Sequence, residues 1–242
     1  MDPISHVASF YLLGRRVGAE RLWVGMVTTL LPDALLILTF FANLLTGQRS
    51  AADSTSILNL YLHSVFALLI LLPIAVFSLR YFYVSVAGYS MHLFLDYLTH
   101  TTVRMPFYPL LDWKAPTFLM SYLDPAFLLI VSGTIFALTV ILERKRVGGV
   151  VRALFRDSLW KRVKPLLSVY TLLAYAFPAA YVSTLAAMDP ILFVLCSFLL
   201  GTNLLLIGFL FCAELYDDKS MQTLIRRMMR FLGGESGNRN DT

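Results

Sequence analysis

Residues 88–100 read GYSMHLFLDYLTH, an apolar stretch that carries three side chains able to bind metal ions, His92, Asp96 and His100. They are spaced four residues apart. In a helix that turns about 100° per residue, they fall within an arc of roughly 80° on one face. Because ionisable groups inside a membrane helix mark functional sites, this face is a candidate site.

The composition is typical of an integral membrane protein. Of the 242 residues, 58% are hydrophobic and only 14% are charged, and the mean hydropathy is +0.71. A soluble domain carries about 25% charged residues. The apolar runs are continuous rather than alternating, which favours helices over strands. We therefore predict an all-α fold, a polytopic membrane helical bundle with about six transmembrane helices, a short N-terminal helix and cytoplasmic amphipathic helices.

Six stretches are long enough, or nearly so, to cross a hydrocarbon core of about 30 Å as helices. They are residues 23–46, 57–79, 81–100, 120–142, 166–187 and 190–212. The predicted regions are a helical module with a metal site (1–116), a fourth span (117–142), a basic amphipathic segment (143–165), a transmembrane hairpin (166–212), and a basic segment with a disordered tail (213–242). Asp124 and Asp189, each followed by proline, are predicted to cap the next helix.

Basic residues predict the orientation and the lipid contacts of the chain. With six spans, Arg15, Arg16, Arg21, Arg80 and the basic segments at 144–164 and 219–230 all fall on one side. Lys and Arg are concentrated in cytoplasmic loops, so the C-terminus should be cytoplasmic. The two amphipathic segments should contact anionic lipid headgroups. Nucleic-acid binding is disfavoured because no recognition module accompanies the basic clusters.

Five of the titratable residues should lie at similar depths in the membrane. At about 1.5 Å per residue, counted from the nearest basic or polar flank, Asp33, His63 and His92 lie roughly 18–20 Å above the cytoplasmic face, and Asp96 about 24 Å. If the first helix folds back along the first span, His6 reaches about 14 Å. Residues on four helices therefore converge on one layer.

Imidazole and carboxylate groups together form the ligand set for a divalent metal, zinc first, with manganese or iron as alternatives. The predicted ligands are His6, Asp33, His63, His92 and Asp96. Asp96 and His100 are the candidates for accepting a proton during catalysis. Other roles stay open: a single membrane His can be an interhelical hydrogen-bond partner, Asp33 can cap a helix broken at Pro32, and His100 can lie at the outer interface.

Four blocks of this sequence resemble the YdjM-like family of inner-membrane, LexA-binding, metal-dependent hydrolases of prokaryotes. The blocks are MDPISH (1–6), LPD (31–33), LHS (62–64) and GYSMHLFLDYLT (88–99), and the resemblance covers about residues 1–110. It implies metal ligation by the same five residues. The family is distantly similar to zinc-dependent phospholipases C and P1-type nucleases, which implies phosphoester hydrolysis.

The sequence departs from the family pattern at four places, one of which is the exit proline, Pro109, about one residue later than in the family. Leu35 stands where the family has a second acid, Leu58-Asn59-Leu60 stands where it has His-Arg-Gly, and Thr102 replaces a glycine. The missing acid and His imply fewer metal ions, and the missing Arg removes a natural phosphate clamp.

Two functional hypotheses follow. The first is a membrane-embedded metal-dependent hydrolase that acts on a phosphoester or lipid-like substrate through metal-activated water. The second is a non-catalytic membrane protein, either a metal or proton transporter or a scaffold, that uses the same buried His/Asp cluster.

Overall fold

The computed structural model describes residues 3–34, 57–99, 107, 109–110, 124–154, 157–183, 189–218 and 223. Within these ranges every regular element is helical, so the predicted all-α class is confirmed for this part of the chain. The helices are α1 (Pro3–Arg16), α2 (Leu22–Thr29), α3 (Ile57–Leu62), α4 (Leu72–Phe77), α5 (Leu79–Thr99), α6 (Pro125–Leu154), α7 (Asp157–Ser183) and α8 (Pro190–Asp217), and a 3-10 helix, Val65–Leu71, precedes α4.

The first helix does fold back along the second, as the prediction for His6 required. The chain reverses between them through Gly18 and Arg21. Both residues have a positive φ angle, 70° at Gly18 and 58° at Arg21. Glycine adopts this left-handed conformation without steric cost, whereas Arg21 does so at some cost. Gly14 leaves room for the side chain of Leu22, so α1 and α2 pack closely and antiparallel.

A close crossing of α2 and α5 fixes the centre of the fold. Gly88 faces the backbone of Gly25, and a Cβ at Gly88 would collide with the Gly25 carbonyl oxygen. Thr28 Oγ1 donates to the Ser85 carbonyl at 3.0 Å, and Thr29 Oγ1 donates to the Gly88 carbonyl at 3.1 Å. Small residues permit such backbone approach, and the hydroxyls add interhelical hydrogen bonds. His92 therefore lies one turn beyond a rigid contact.

The predicted second span, 57–79, is broken rather than continuous. Helix α3 ends at Leu62, Ser64 is extended (φ −108°, ψ 159°), and a 3-10 helix then runs to Leu71 before α4. The first span, 23–46, also differs from the prediction, because α2 ends at Thr29 and turns occupy 30–33. Pro32 cannot supply a backbone N–H to a helix, which explains this end. The rest of that span lies outside the described residues.

The described residues from 124 to 218 form three long helices. Helix α8 packs against both α6 and α7. The predicted caps are confirmed: Asp124 Oδ1 accepts from Ala126 N (2.8 Å), and Asp189 Oδ1 accepts from Ile191 N (2.8 Å). The basic region 143–165 is not a separate element, because residues 143–154 continue α6 and residues 157–165 begin α7. Helix α6 continues to Leu154 because no proline interrupts it after Pro125 and the pair Gly148 and Gly149 remains helical.

Two helices in the described ranges are long and apolar enough to cross a membrane, Ala126–Gly149 and Pro190–Leu215. Six such spans were expected. Helix α5 has 21 residues, but Arg80 and the buried polar residues of this helix lower its mean hydropathy. Large apolar side chains are exposed along one face of α7 (Leu166, Val169, Leu172, Leu173) and one face of α8 (Ile191, Val194, Leu195, Phe198). Exposed apolar surface of this extent indicates contact with lipid or another protein.

Three arginines form ion pairs at one end of the bundle. Arg15 approaches Glu143 at 4.0 Å, Arg80 approaches Glu20 at 3.8 Å, and Arg146 pairs with Glu214 at 2.9 Å. The ends of α1, α5, α6 and α8 and the α1–α2 turn therefore share one side. Most of the C-terminal basic segment and tail (219–242) lies outside the described residues.

Candidate metal centre

Five titratable side chains from separate segments meet at one place in the first half of the fold. His6 comes from α1, Asp33 from the turns after α2, His63 from the break after α3, and both His92 and Asp96 from α5. Each element has a local reason for its position: Pro32 ends the helix before Asp33, and the i, i+4 spacing puts His92 and Asp96 on one face. The expected convergence of these five residues is found in the structure.

Asp96 lies at the centre of the group. Its Oδ1 is 3.3 Å from His6 Nε2, and its Oδ2 is 3.5 Å from His63 Nε2 and 3.4 Å from His92 Nε2. One carboxylate therefore approaches the Nε2 atoms of three histidines on three different segments.

Asp33 supplies the second carboxylate of the group. Its Oδ1 is 3.4 Å from His63 Nε2, and its Oδ2 is 3.8 Å from His92 Nε2. The Asp33 side chain is 11% exposed, whereas those of the other four residues are 0–4% exposed. Of the five residues, Asp33 is thus the nearest to the surface.

These separations suit metal coordination. When metal–ligand bonds of about 2.0–2.1 Å are arranged tetrahedrally, neighbouring ligand atoms lie roughly 3.3 Å apart. The Nε2–carboxylate distances of 3.3–3.8 Å begin at that value and exceed it by up to 0.5 Å. His6 Nε2 and His92 Nε2 are buried, and both lie within ion-pair distance of Asp96. Ligand-competent atoms lie within 4.8 Å of one another in two sets that share His92, His6–Asp33–His92 and His63–His92–Asp96.

The charges of the cluster also favour a divalent cation. Two buried carboxylates carry two negative charges, and neutral imidazoles do not offset them. Burying uncompensated charge in a low-dielectric environment is costly. One divalent ion neutralises both carboxylates, and protonation of two histidines is the metal-free way to reach the same balance.

A hydrogen bond between two imidazoles determines which ring nitrogen keeps a lone pair for a metal. His6 Nδ1 and His92 Nδ1 are 2.9 Å apart, with ring centroids at 4.2 Å. In a neutral pair, one Nδ1 donates and the other accepts. The donor ring keeps its Nε2 lone pair for a metal, whereas the acceptor ring carries its proton on Nε2. Neighbouring groups of this kind commonly fix the tautomer of a metal-binding His.

The remaining predicted site residue, His100, lies outside the described residues. The alternative role for Asp33 was to cap a helix. The described contacts of its carboxylate are instead with His63 and His92.

A buried polar connection between the two halves was missed by sequence reasoning. Ser5 Oγ lies 3.0 Å from Ser132 Oγ, and Asn203 Nδ2 donates to the Ser132 carbonyl at 3.2 Å. All three residues are fully buried. They join α1, beside His6, to α6 and α8. A lone Asn in the apolar run 190–212 was the available signal, because polar residues in such helices usually have interhelical partners.

No protein-family model, curated protein or solved structure matches the chain. Function is therefore inferred from the geometry and chemistry of the cluster.

Proposed function

We propose that this protein is a membrane-embedded, metal-dependent hydrolase that acts on a phosphoester or lipid-like substrate through metal-activated water. The observation that carries the proposal is the convergence of three histidines and two aspartates in one buried cluster, with Nε2–carboxylate distances of 3.3–3.8 Å. Imidazole and carboxylate form the usual ligand set of catalytic zinc, and zinc is the proposed metal.

Each residue of the cluster has a proposed role. His6, Asp33, His63, His92 and Asp96 would hold the ion. When bound, a divalent ion supplies Lewis-acid chemistry, which polarises a phosphoryl or carbonyl oxygen and makes water more acidic. Asp96 and His100 are the proposed acceptors of the proton that the attacking water loses. The surrounding apolar helices exclude bulk water, which strengthens electrostatic interactions at the site.

Membership of the YdjM-like family is part of the proposal. The four sequence blocks that carry the resemblance supply all five clustered side chains, from positions that span 91 residues of sequence. The family's second acid and its His-Arg-Gly segment are replaced here by Leu35 and by Leu58-Asn59-Leu60. A single ion is accordingly proposed.

We place the protein in a prokaryotic inner membrane as a multi-pass protein with a cytoplasmic C-terminus. The two long apolar helices and the exposed apolar faces of α7 and α8 support a membrane location. The gathering of basic residues at one end of the bundle supports contact of that end with anionic headgroups of the cytoplasmic leaflet. Six spans remain the proposed number.

Elemental analysis of the purified full-length protein is the first test. About one zinc per chain is expected after purification, and it should be lost in His92→Ala. Glu20→Gln is the control, because Glu20 is an acid whose side chain is 77% exposed and pairs with Arg80 rather than with a residue of the cluster. The metal-loaded protein should then release product from a panel of phosphodiesters and phospholipids, and His100→Ala should slow release while retaining the metal. Absence of stoichiometric metal in the wild type would refute the proposal and favour a scaffold.

Metal or proton transport is a second candidate, favoured by one specific observation. Two helical segments are interrupted at the depth of the cluster, at 30–33 and at 63–64. Interrupted helices of this kind form the ion sites of many transporters. Protein reconstituted in liposomes with a metal-sensitive dye inside distinguishes the two candidates, since a transporter moves zinc across the bilayer without hydrolysing any substrate.

A further inference from the structure

The break between α3 and the 3-10 helix leaves backbone groups without their helical partners. In a continuous helix, the Leu62 carbonyl would accept from the N–H of residue 66, four positions on. Because α3 ends at Leu62, that bond is not part of a helix, and a buried carbonyl without a donor is costly in an apolar environment. His63 follows Leu62 directly, so the solution to this problem also determines the position of His63.

A tyrosine hydroxyl from α5 supplies the missing donor to the Leu62 carbonyl. Tyr89 is fully buried, and its hydroxyl donates to the Leu62 carbonyl. Its ring packs with Ala67 and Leu71, which are 0% and 2% exposed, in a small core of their own. The same residue therefore anchors both sides of the break to α5.

Other hydroxyls complete the break locally. Ser64 Oγ donates to the Tyr61 carbonyl at 2.7 Å, and the Tyr61 hydroxyl donates to the Phe66 carbonyl at 3.3 Å. Both bonds lie within the segment that contains the break. The bond from Tyr89 differs because it comes from α5, the helix that carries His92 and Asp96.

We infer that Tyr89 is a positioning residue of the candidate metal centre: its hydroxyl holds the Leu62 carbonyl so that His63 Nε2 lies between the carboxylates of Asp33 and Asp96. Tyr89 is three residues before His92 on α5, so one helix presents two cluster residues and also fixes a third. His63 Nε2 lies 3.4 Å from Asp33 and 3.5 Å from Asp96. Ligand distances in metal sites must be correct to about 0.2 Å, which makes such anchoring consequential.

The inference rests on the proposed metal site, and a matched pair of variants tests it. Tyr89→Phe removes one oxygen atom and keeps the ring that packs on Ala67 and Leu71. Tyr170→Phe is the control, because the Tyr170 hydroxyl also donates to a backbone carbonyl of another segment, that of Leu204 at 2.5 Å, in the hairpin of α7 and α8. Zinc affinity of the full-length protein in detergent is measured by competition with a chelator.

Loss of outer-shell support typically costs about 10–100-fold in metal affinity. We expect Tyr89→Phe to weaken zinc binding by at least about tenfold, with Tyr170→Phe within about twofold of the wild type and both variants similarly stable without metal. Equal affinities for Tyr89→Phe and the wild type, or equal losses in both variants, would overturn the inference.

A second readout needs no metal. In the metal-free protein, His63 is 5% exposed and should react slowly with diethyl pyrocarbonate. Tyr89→Phe should raise the modification rate of His63 several-fold, as followed by mass spectrometry, and Tyr170→Phe should not. If the wild type binds no zinc, the proposed function fails, and the modification rate of His63 alone then decides whether Tyr89 positions it. An unchanged rate in Tyr89→Phe would refute the positioning role.

Discussion

His6 Nδ1 and His92 Nδ1 lie 2.9 Å apart, although 86 positions separate the two residues in the sequence. The bond joins α1 to α5 at the centre of the candidate metal site. It leaves both Nε2 atoms directed at carboxylates, with His6 Nε2 3.3 Å from Asp96 and His92 Nε2 3.4 Å from the same side chain. The pair therefore has a structural side at Nδ1, and in the neutral pair only the ring that donates from Nδ1 keeps an Nε2 lone pair for a metal.

Substitutions at His6 should separate the roles of Nδ1 and Nε2. His6→Asn keeps a polar group near the position of Nδ1 and removes Nε2, so it should retain the contact with His92 and lose a metal ligand. We expect zinc affinity to fall by about 100-fold, with little change in the melting temperature of the metal-free protein. His6→Ala should lower both quantities, because it also leaves a cavity and an unpaired His92. Chelator competition and thermal unfolding in detergent measure the two effects, and equal melting temperatures of the two metal-free variants would contradict this division.

The two aspartates should differ in importance. Asp96 approaches three histidines and Asp33 approaches two, so Asp96→Asn should weaken zinc binding more than Asp33→Asn. Without metal, protonated histidines balance the carboxylates, so removing Asp96 leaves buried positive charge without its partner and should lower the free energy of unfolding by about 3 kcal/mol. Zinc titrations together with thermal unfolding of metal-free and metal-loaded protein measure both effects. A metal-free Asp96→Asn protein as stable as the wild type would count against the charge argument.

The α2–α5 contact at Gly88 should tolerate no side chain. A Cβ at this position would collide with the Gly25 carbonyl oxygen and lie 2.8 Å from Thr28 Oγ1. Gly88→Ala should therefore destabilise the protein by about 1–3 kcal/mol and weaken metal binding by shifting His92 and Asp96. Gly133→Ala is the control, because among the described residues its Cβ would meet Leu199 Cδ2 at 3.7 Å, an ordinary van der Waals contact. There the helix should gain about 0.5–1 kcal/mol. Similar unfolding curves for both variants would show that the crossing is looser than described.

The ion pair of Arg146 and Glu214 should be sensitive to the loss of one partner. Their side chains are 16% and 8% exposed and the contact is 2.9 Å. Arg146→Met leaves Glu214 buried without its cation and should cost about 3 kcal/mol or more of unfolding free energy. The double variant Arg146→Met/Glu214→Leu should recover most of this loss.

The exposed pair of Arg80 and Glu20 provides the comparison. Both side chains are 77% exposed and 3.8 Å apart, so Arg80→Met should change the unfolding free energy by less than about 1 kcal/mol. Chemical unfolding of all four proteins gives the values. A larger loss from Arg80→Met than from Arg146→Met would reverse the expected dependence on burial.

The described structure shows why part of the site was predictable from the sequence. His92 and Asp96 share a face because of their spacing, and this follows from helix geometry alone. The depths of Asp33 and His63 follow from counting residues at a fixed rise per residue. The sequence offered the break at Pro32 only as an alternative and did not predict the break at 63–64, because apolar residues flank both places. It also did not predict the partners of Tyr89, Ser5 or Asn203.

The sequence by itself determined that the chain is helical, which residues can bind a cation, and roughly how far along each helix they lie. These properties depend on side-chain chemistry and on regular local geometry. Only the tertiary structure decided how each segment is rotated about its axis, and so whether its polar side chain faces the others. That rotation is set by contacts between segments distant in sequence, such as Gly88 on Gly25 and Tyr89 on Leu62, because packing depends on the shapes of both surfaces at once.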